Sequence, residues 1–123
     1  MANELTLSGL RIQFAKANVP SVDFSPASMS VTVTANVNMD NVQTVGITEE
    51  AILLGDVSTG GYCYIENLDT TNFISLRQAT GAANFAKIAA GKWNIITISP
   101  DATAPFAIAD TAACRVRFLR FGL

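Results

Sequence analysis

Between residues 60 and 98 no stretch of the chain outruns the length of a single β-strand before it meets a turn signal. Four apolar-alternating runs, 61–67, 72–78, 84–88 and 92–98, are divided by Leu68-Asp69-Thr70-Thr71, Thr80-Gly81-Ala82 and Ala89-Ala90-Gly91. Alternation with a period of two, broken by Gly, Asp and Thr, predicts strands joined by tight turns, and the segment reads as an antiparallel meander stitched by hairpins. None of the four runs carries a histidine, a nucleophile beside a base, or a metal-ligand spacing.

The same grammar extends in both directions. Leu5 and Leu7 alternate in one phase and Leu10, Ile12 and Phe14 in the other, with the slip at Ser8-Gly9. A glycine where alternation slips marks a bend, so one bent strand is expected over 4–14. Residues 16–28 hold Pro20, Pro26 and several serines and read as a loop or extended arm. Residues 29–37 put Val31, Val33, Ala35 and Val37 on one face and Ser30, Thr32, Thr34 and Asn36 on the other, the pattern of a half-exposed strand. Residues 38–41 are expected to turn, and 42–54 to be strand broken at Glu49-Glu50, with a short helix over 48–54 as the competitor. Loops at 55–61 and 99–105 flank the four runs, and strands at 106–109 and 114–121 close the chain. The expected fold is all-β: one antiparallel sandwich of jelly-roll type, with eight to ten short strands, over 1–123.

Charge then bears on what such a sandwich does. Charged residues make up only 15 % of the chain, while hydrophobic ones make up 50 %. Roughly 25 % charged is usual, so a small domain this poor in charge has either a Ser/Thr/Asn surface or a surface buried against partners. Self-association or docking on a larger assembly is the expectation. A net charge of −2 gives no footprint for nucleic acid or an acidic membrane. The last three bases, Arg115, Arg117 and Arg120, follow the final acid, Asp110. They read either as an interfacial patch or as the solvated edge of the last strand. Cys63 and Cys114 make no disulfide framework and read as small core hydrophobes. The N-terminal residues lack the pattern of a signal peptide and no run is long enough to span a bilayer, so synthesis in the cytosol is expected.

Catalytic chemistry finds little to use. The chain has no histidine, the commonest general base and metal ligand. Glu49 and Glu50 are adjacent and would face opposite sides of a strand, so they cannot pair across a cleft. Asp69 is better explained by turn bonding. Asn38, Asp40 and Asn41, or Asp69 with Asn72, offer oxygens to calcium, but the longer ligand series ending in Glu is missing. The glycine-rich 55–61 segment lacks the Lys-Ser/Thr element that holds phosphates. No cofactor is expected, and no enzymatic activity. Tyr62 and Tyr64 share a strand face and, with Trp93, could stack on a sugar; a core or interface anchor is the other reading of the lone Trp.

Gly60-Gly61-Tyr62, Asn67-Leu68-Asp69 with Asn72, the hairpin into Lys87-Ile88, Ala90-Gly91-Lys92 before a strand, and 107–113 before a terminal strand give the second half a family look. In these elements, and in the opening Ala-Asn-Glu-Leu-Thr-Leu-Ser-Gly, the chain resembles small β-sandwich structural proteins of tailed-bacteriophage virions. The resemblance covers the C-terminal half and leaves 16–50 unmatched. It implies a non-enzymatic virion component, made in the host cytoplasm: a head-decoration (cement) protein, or a neck or tail protein. Partners would be further copies, as a dimer or trimer, and the major capsid protein or other virion proteins. The expected contacts are Pro20 and Phe24 in the 16–28 arm, Pro105 in the second loop, and Arg115, Arg117, Arg120 and Phe121 on the last strand. The alternative is a carbohydrate- or receptor-binding module of a tail or spike, using Tyr62, Tyr64 and Trp93.

Overall fold

The computed structural model describes residues 4–32, 38–52, 61–98 and 105–121. Its strands are β1 Glu4–Leu7, β2 Ile12–Lys16, β3 Val19–Phe24, β4 Met29–Thr32, β5 Asn38–Val45, β6 Glu50–Ala51, β7 Gly61–Asn67, β8 Ile74–Arg77, β9 Asn84–Ile88, β10 Trp93–Ile98, β11 Phe106–Ala109 and β12 Cys114–Phe121. The described residues contain no helix. The chain divides into two compact units, residues 1–34 and 35–123.

The first unit is a two-stranded ribbon in two lengths. β1 pairs antiparallel with β4, and β2 with β3. The phase slip at Ser8-Gly9 is real, with Gly9 at φ +77°, but it divides the single bent strand expected over 4–14 into two strands, β1 and β2, with different partners. The stretch 16–28, expected as a loop or extended arm, holds a strand: the chain turns at Asn18 (φ +63°) and returns as β3. Asparagine tolerates that left-handed geometry better than other side chains. Residues 33–37, the end of the predicted 29–37 strand, lie outside the described residues.

The second unit is a sandwich of two four-stranded antiparallel sheets, β10-β7-β12-β5 and β6-β11-β8-β9. The pairings β8 with β9, β7 with β10, β6 with β11 and β5 with β12 nest inside one another. The chain is therefore a long antiparallel hairpin, tipped at β8–β9, rolled so that β7 also meets β12 and β8 also meets β11. This is jelly-roll order. The meander expected over 61–98 is overturned: the four strands are present, but β7 and β10 lie in one sheet and β8 and β9 in the other. Nor do residues 38–41 turn, since they open β5 and pair along β12. Asn and Asp favour turns as residue types, but the β5–β12 ladder supplies bonds that outweigh the preference.

One core holds the two sheets together. Val45, Cys63, Ile65, Cys114, Val116 and Phe118 come from one sheet, and Ile74, Leu76, Ile88, Ala107 and Ala109 from the other, all buried. Asn67 sits at the inward end of β7, fully buried. Its amide donates to the carbonyls of Asn72 (2.9 Å) and Ile88 (3.2 Å), and its Oδ1 accepts from the Asp69 N–H (3.0 Å). These bonds tie β7 to the turn that carries the chain into the opposite sheet and to the end of β9. Asp69 accepts from the N–H groups of Thr71 (2.9 Å) and Asn72 (2.6 Å), the turn bonding its position predicts.

Candidate interaction face of the four-stranded sheet

Alternation decides what the β10-β7-β12-β5 sheet shows on its outer side. Along β12 buried and outward residues alternate, so Cys114, Val116, Phe118 and Arg120 point inward while Arg115, Arg117, Leu119 and Phe121 point out. Along β7, Gly61, Cys63, Ile65 and Asn67 are inward, leaving Tyr62, Tyr64 and Glu66 outside. Register then sets these residues in rows. Val42 of β5, Arg117 of β12, Glu66 of β7 and Trp93 of β10 form one row. Leu119, Tyr64 and Ile95 form the next, and Phe121, Tyr62 and Thr97 the third.

The face is apolar and partly open to solvent. Trp93, Val42 and Ile95 are 47 %, 42 % and 41 % exposed, and Tyr62, Tyr64, Leu119 and Phe121 are half-buried. The rings of Tyr64 and Trp93 lie 5.7 Å apart with planes tilted by 33°, within the range in which aromatic pairs attract. The Tyr64 hydroxyl donates to Glu66 Oε1 at 2.6 Å. That bond holds the Tyr64 phenol above its ordinary pKa, with desolvation and the Glu66 charge adding and Arg117 opposing. Glu66 and Arg117 are cross-strand neighbours, so the row carries charges of both signs.

Two sets of residues that the sequence keeps apart thus share one surface: Arg115, Arg117 and Phe121, named as contacts, and Tyr62, Tyr64 and Trp93, named as a stacking platform. Val42, Ile95, Leu119 and Glu66 complete it and went unnamed in the sequence, although period-two alternation from Trp93 and from Arg117 points to Ile95 and Leu119.

Arg120 needs correction as a surface contact. It is 1 % exposed, on the inward phase of β12, opposite Cys63 in register. Burial lowers its guanidinium pKa, with Cys63 opposing. Burial likewise pushes the Cys63 thiol up to about 11. Pro105 is also buried; its carbonyl accepts from the Ile52 N–H at 2.9 Å, next to the β6–β11 ladder. β12 itself is no edge, since it runs between β5 and β7. Pro20 and Phe24 are exposed in β3 of the first unit.

Other polar groups serve the framework. Glu49 accepts from the Gly81 N–H at 3.0 and 3.1 Å and pairs with Arg77 at 3.4 Å. Glu50 accepts from Gln43 at 3.1 Å. Among the described residues no group of three or more His, Cys, Asp or Glu is placed to hold a metal ion. Compared with protein-family models, with curated sequences and with solved structures, the chain finds no match.

Proposed function

We propose that this chain is a structural protein of a bacteriophage virion, most simply a decoration protein that docks on the assembled head as an oligomer and adds buried interface to the shell. The carrying observation is the outer face of the β10-β7-β12-β5 sheet, where Tyr62, Tyr64, Trp93, Ile95, Leu119 and Phe121 occupy neighbouring positions partly open to water, with Arg117 and Glu66 between Trp93 and Val42 in one row. Half-exposed aromatics on a rigid sheet, with Arg115 and Arg117 at hand, are the composition of protein–protein contacts. Jelly rolls serve in viral shells and in lectins, and the sequence resemblance turns the choice toward the shell. In this reading the protein is no enzyme, takes no cofactor, is made in the host cytoplasm, and contacts the major capsid protein or another virion protein.

The test is to purify virions, look for the chain by mass spectrometry and locate it by cryo-electron microscopy. Density on the head is expected; absence from particles sinks the proposal. Arg117→Glu is expected to weaken attachment to particles while leaving the fold intact.

A second reading rests on the sharing of that face by Tyr62, Tyr64 and Trp93. If the face takes sugar, a glycan array shows binding that Trp93→Ala abolishes.

A further inference from the structure

β10 ends its sheet with one edge open. Among the described residues it pairs with β7 alone. The Lys92 carbonyl accepts from the Asn67 N–H at 2.9 Å, which fixes the phase of that ladder. Bonded and non-bonded pairs alternate along antiparallel strands, so Asn94 and Ile96 turn their N–H and C=O groups toward β7. Trp93, Ile95 and Thr97 turn theirs away, along the open edge. Natural sheets guard such an edge with charge, proline, a bulge or brevity. Each other edge strand of the sandwich has one of these devices. β5 carries Asp40, β6 is only two residues long, and β9 has both Lys87 and a register shift in its ladder. β10 has none. Its sequence, Trp-Asn-Ile-Ile-Thr-Ile, contains no charge and no proline, and its ladder with β7 runs without a shift.

We propose that β10 pairs antiparallel with β10 of a second copy about a two-fold axis, joining two four-stranded sheets into one continuous sheet. The pairing rests on the self-association in the proposed function and names its partner. Register follows from phase. Opposed residues share a face of the sheet, and only backbone groups turned to the open edge can bond across it. An axis through Ile95 meets both conditions: Ile95 faces the partner's Ile95, and Trp93 faces the partner's Thr97. Every edge-facing donor and acceptor of these residues then bonds, and any other register within the strand leaves some unused. Charge raises no obstacle. Lys92 falls opposite the partner's Ile98, roughly 20 Å along the strands from the partner's Lys92 at ~3.4 Å per residue. Glu66 stands one strand back from the join and Arg117 two. Pairing β10 with β5 at the far end of the sheet would be head-to-tail and run on into a filament, whereas the two-fold contact closes. The outer face stays uncovered, so the rows that hold Trp93 and Ile95 continue across both copies and remain open to another virion protein.

The experiment uses the full chain in two arms. Sedimentation equilibrium is expected to give a dimer. Thr97→Pro removes an N–H that points out of the sheet, where an edge strand tolerates proline. It is expected to weaken association at least ~100-fold, which is about 2.8 kcal/mol. Circular dichroism and urea unfolding report whether that variant keeps its fold. The other arm does not depend on it. Ile95→Cys brings two thiols together on the axis, at the roughly 5.5 Å Cα spacing of a bonded pair, within disulfide reach. Val42→Cys is the control, since Val42 is as exposed on the same face but lies in β5 at the opposite edge; the native cysteines are buried. Mild oxidation is expected to give disulfide dimers through Ile95→Cys and few through Val42→Cys. A monomer at about 100 µM, which allows only millimolar affinity, a trimer, a folded Thr97→Pro that dimerises like wild type, or equal crosslinking at both positions overturns the inference. Those outcomes leave the virion proposal standing if the chain is found in particles, and absence from particles leaves a crosslinked dimer standing.

Discussion

Replacing Asn67 by alanine removes a side chain that bridges the two halves of the rolled hairpin. The residue is fully buried, and the change leaves the carbonyls of Asn72 and Ile88 and the N–H of Asp69 without the partners they hold at 2.9, 3.2 and 3.0 Å. At ~0.5–1.5 kcal/mol net for each bond, with the further cost of stranded buried groups, the loss comes to about 2–4 kcal/mol. For a domain of this size that lowers the melting midpoint by roughly 10–30 °C. Urea titration followed by circular dichroism and Trp93 fluorescence measures it. Asn67→Asp sharpens the reasoning through pH. Its carboxylate would face two carbonyl oxygens in a buried place, so its folded pKa stands above the unfolded value near ~3.9. The charged form is the penalised one. The gap between wild type and Asn67→Asp is therefore small below the unfolded pKa, widens as pH rises through the folded pKa, and is constant above it. An alanine variant within about 0.5 kcal/mol of wild type, or an aspartate variant whose gap ignores pH, refutes the account.

Other consequences are open to measurement. Gly91, at φ +71° with nothing within 4 Å of an added Cβ, would take an alanine without a clash but in a strained left-handed backbone, so Gly91→Ala costs about 1 kcal/mol in urea unfolding. Asp69 is held below the ordinary carboxylate pKa by the N–H groups of Asn72 and Thr71. Its contribution is present above the unfolded pKa and is lost as pH falls through the folded one, so Asp69→Asn should flatten the loss of stability on acidification below about pH 4. Cys63, buried and with its thiol pushed up to about 11, should react with a thiol reagent at pH 8 at least ~100-fold more slowly in the native protein than in urea.

The sequence told much about elements and little about their partners. Gly81 and Gly91 carry positive φ in the turns where the sequence places them, because turn geometry is a local demand that a few residues satisfy. Strand 84–88 and the last strand, 114–121, were readable for the same reason, alternation being local. Pairing is not local. Nothing near Tyr62 says that Phe121 lies opposite, yet that register brings the aromatic and arginine groups onto one face. Arg120 shows two signals in conflict: its charge argues for solvent, its place in the alternation from Cys114 argues for the interior, and alternation prevails because slipping one position would turn every neighbour over. β3 was hidden by Pro20 and by serines that read as loop, although Val22 and Phe24 carry the period.

The nesting of the pairs around β8–β9 also prescribes an order of events. Ile74 meets Ile88 across a short loop, whereas Asn38 meets Phe121 only after nearly the whole second unit lies between them. Closing a short loop costs less chain entropy, and long-range pairing slows folding. The second unit should thus zip from its tip toward its ends, with β12 the strand that admits β5 to the sheet. A growing chain that lacks residues 114–121 can hold the tip, but β5 and β7 then have no common neighbour. Until the last strand arrives the face lacks Arg115, Arg117, Leu119 and Phe121, so no partner meets it whole on a half-made chain.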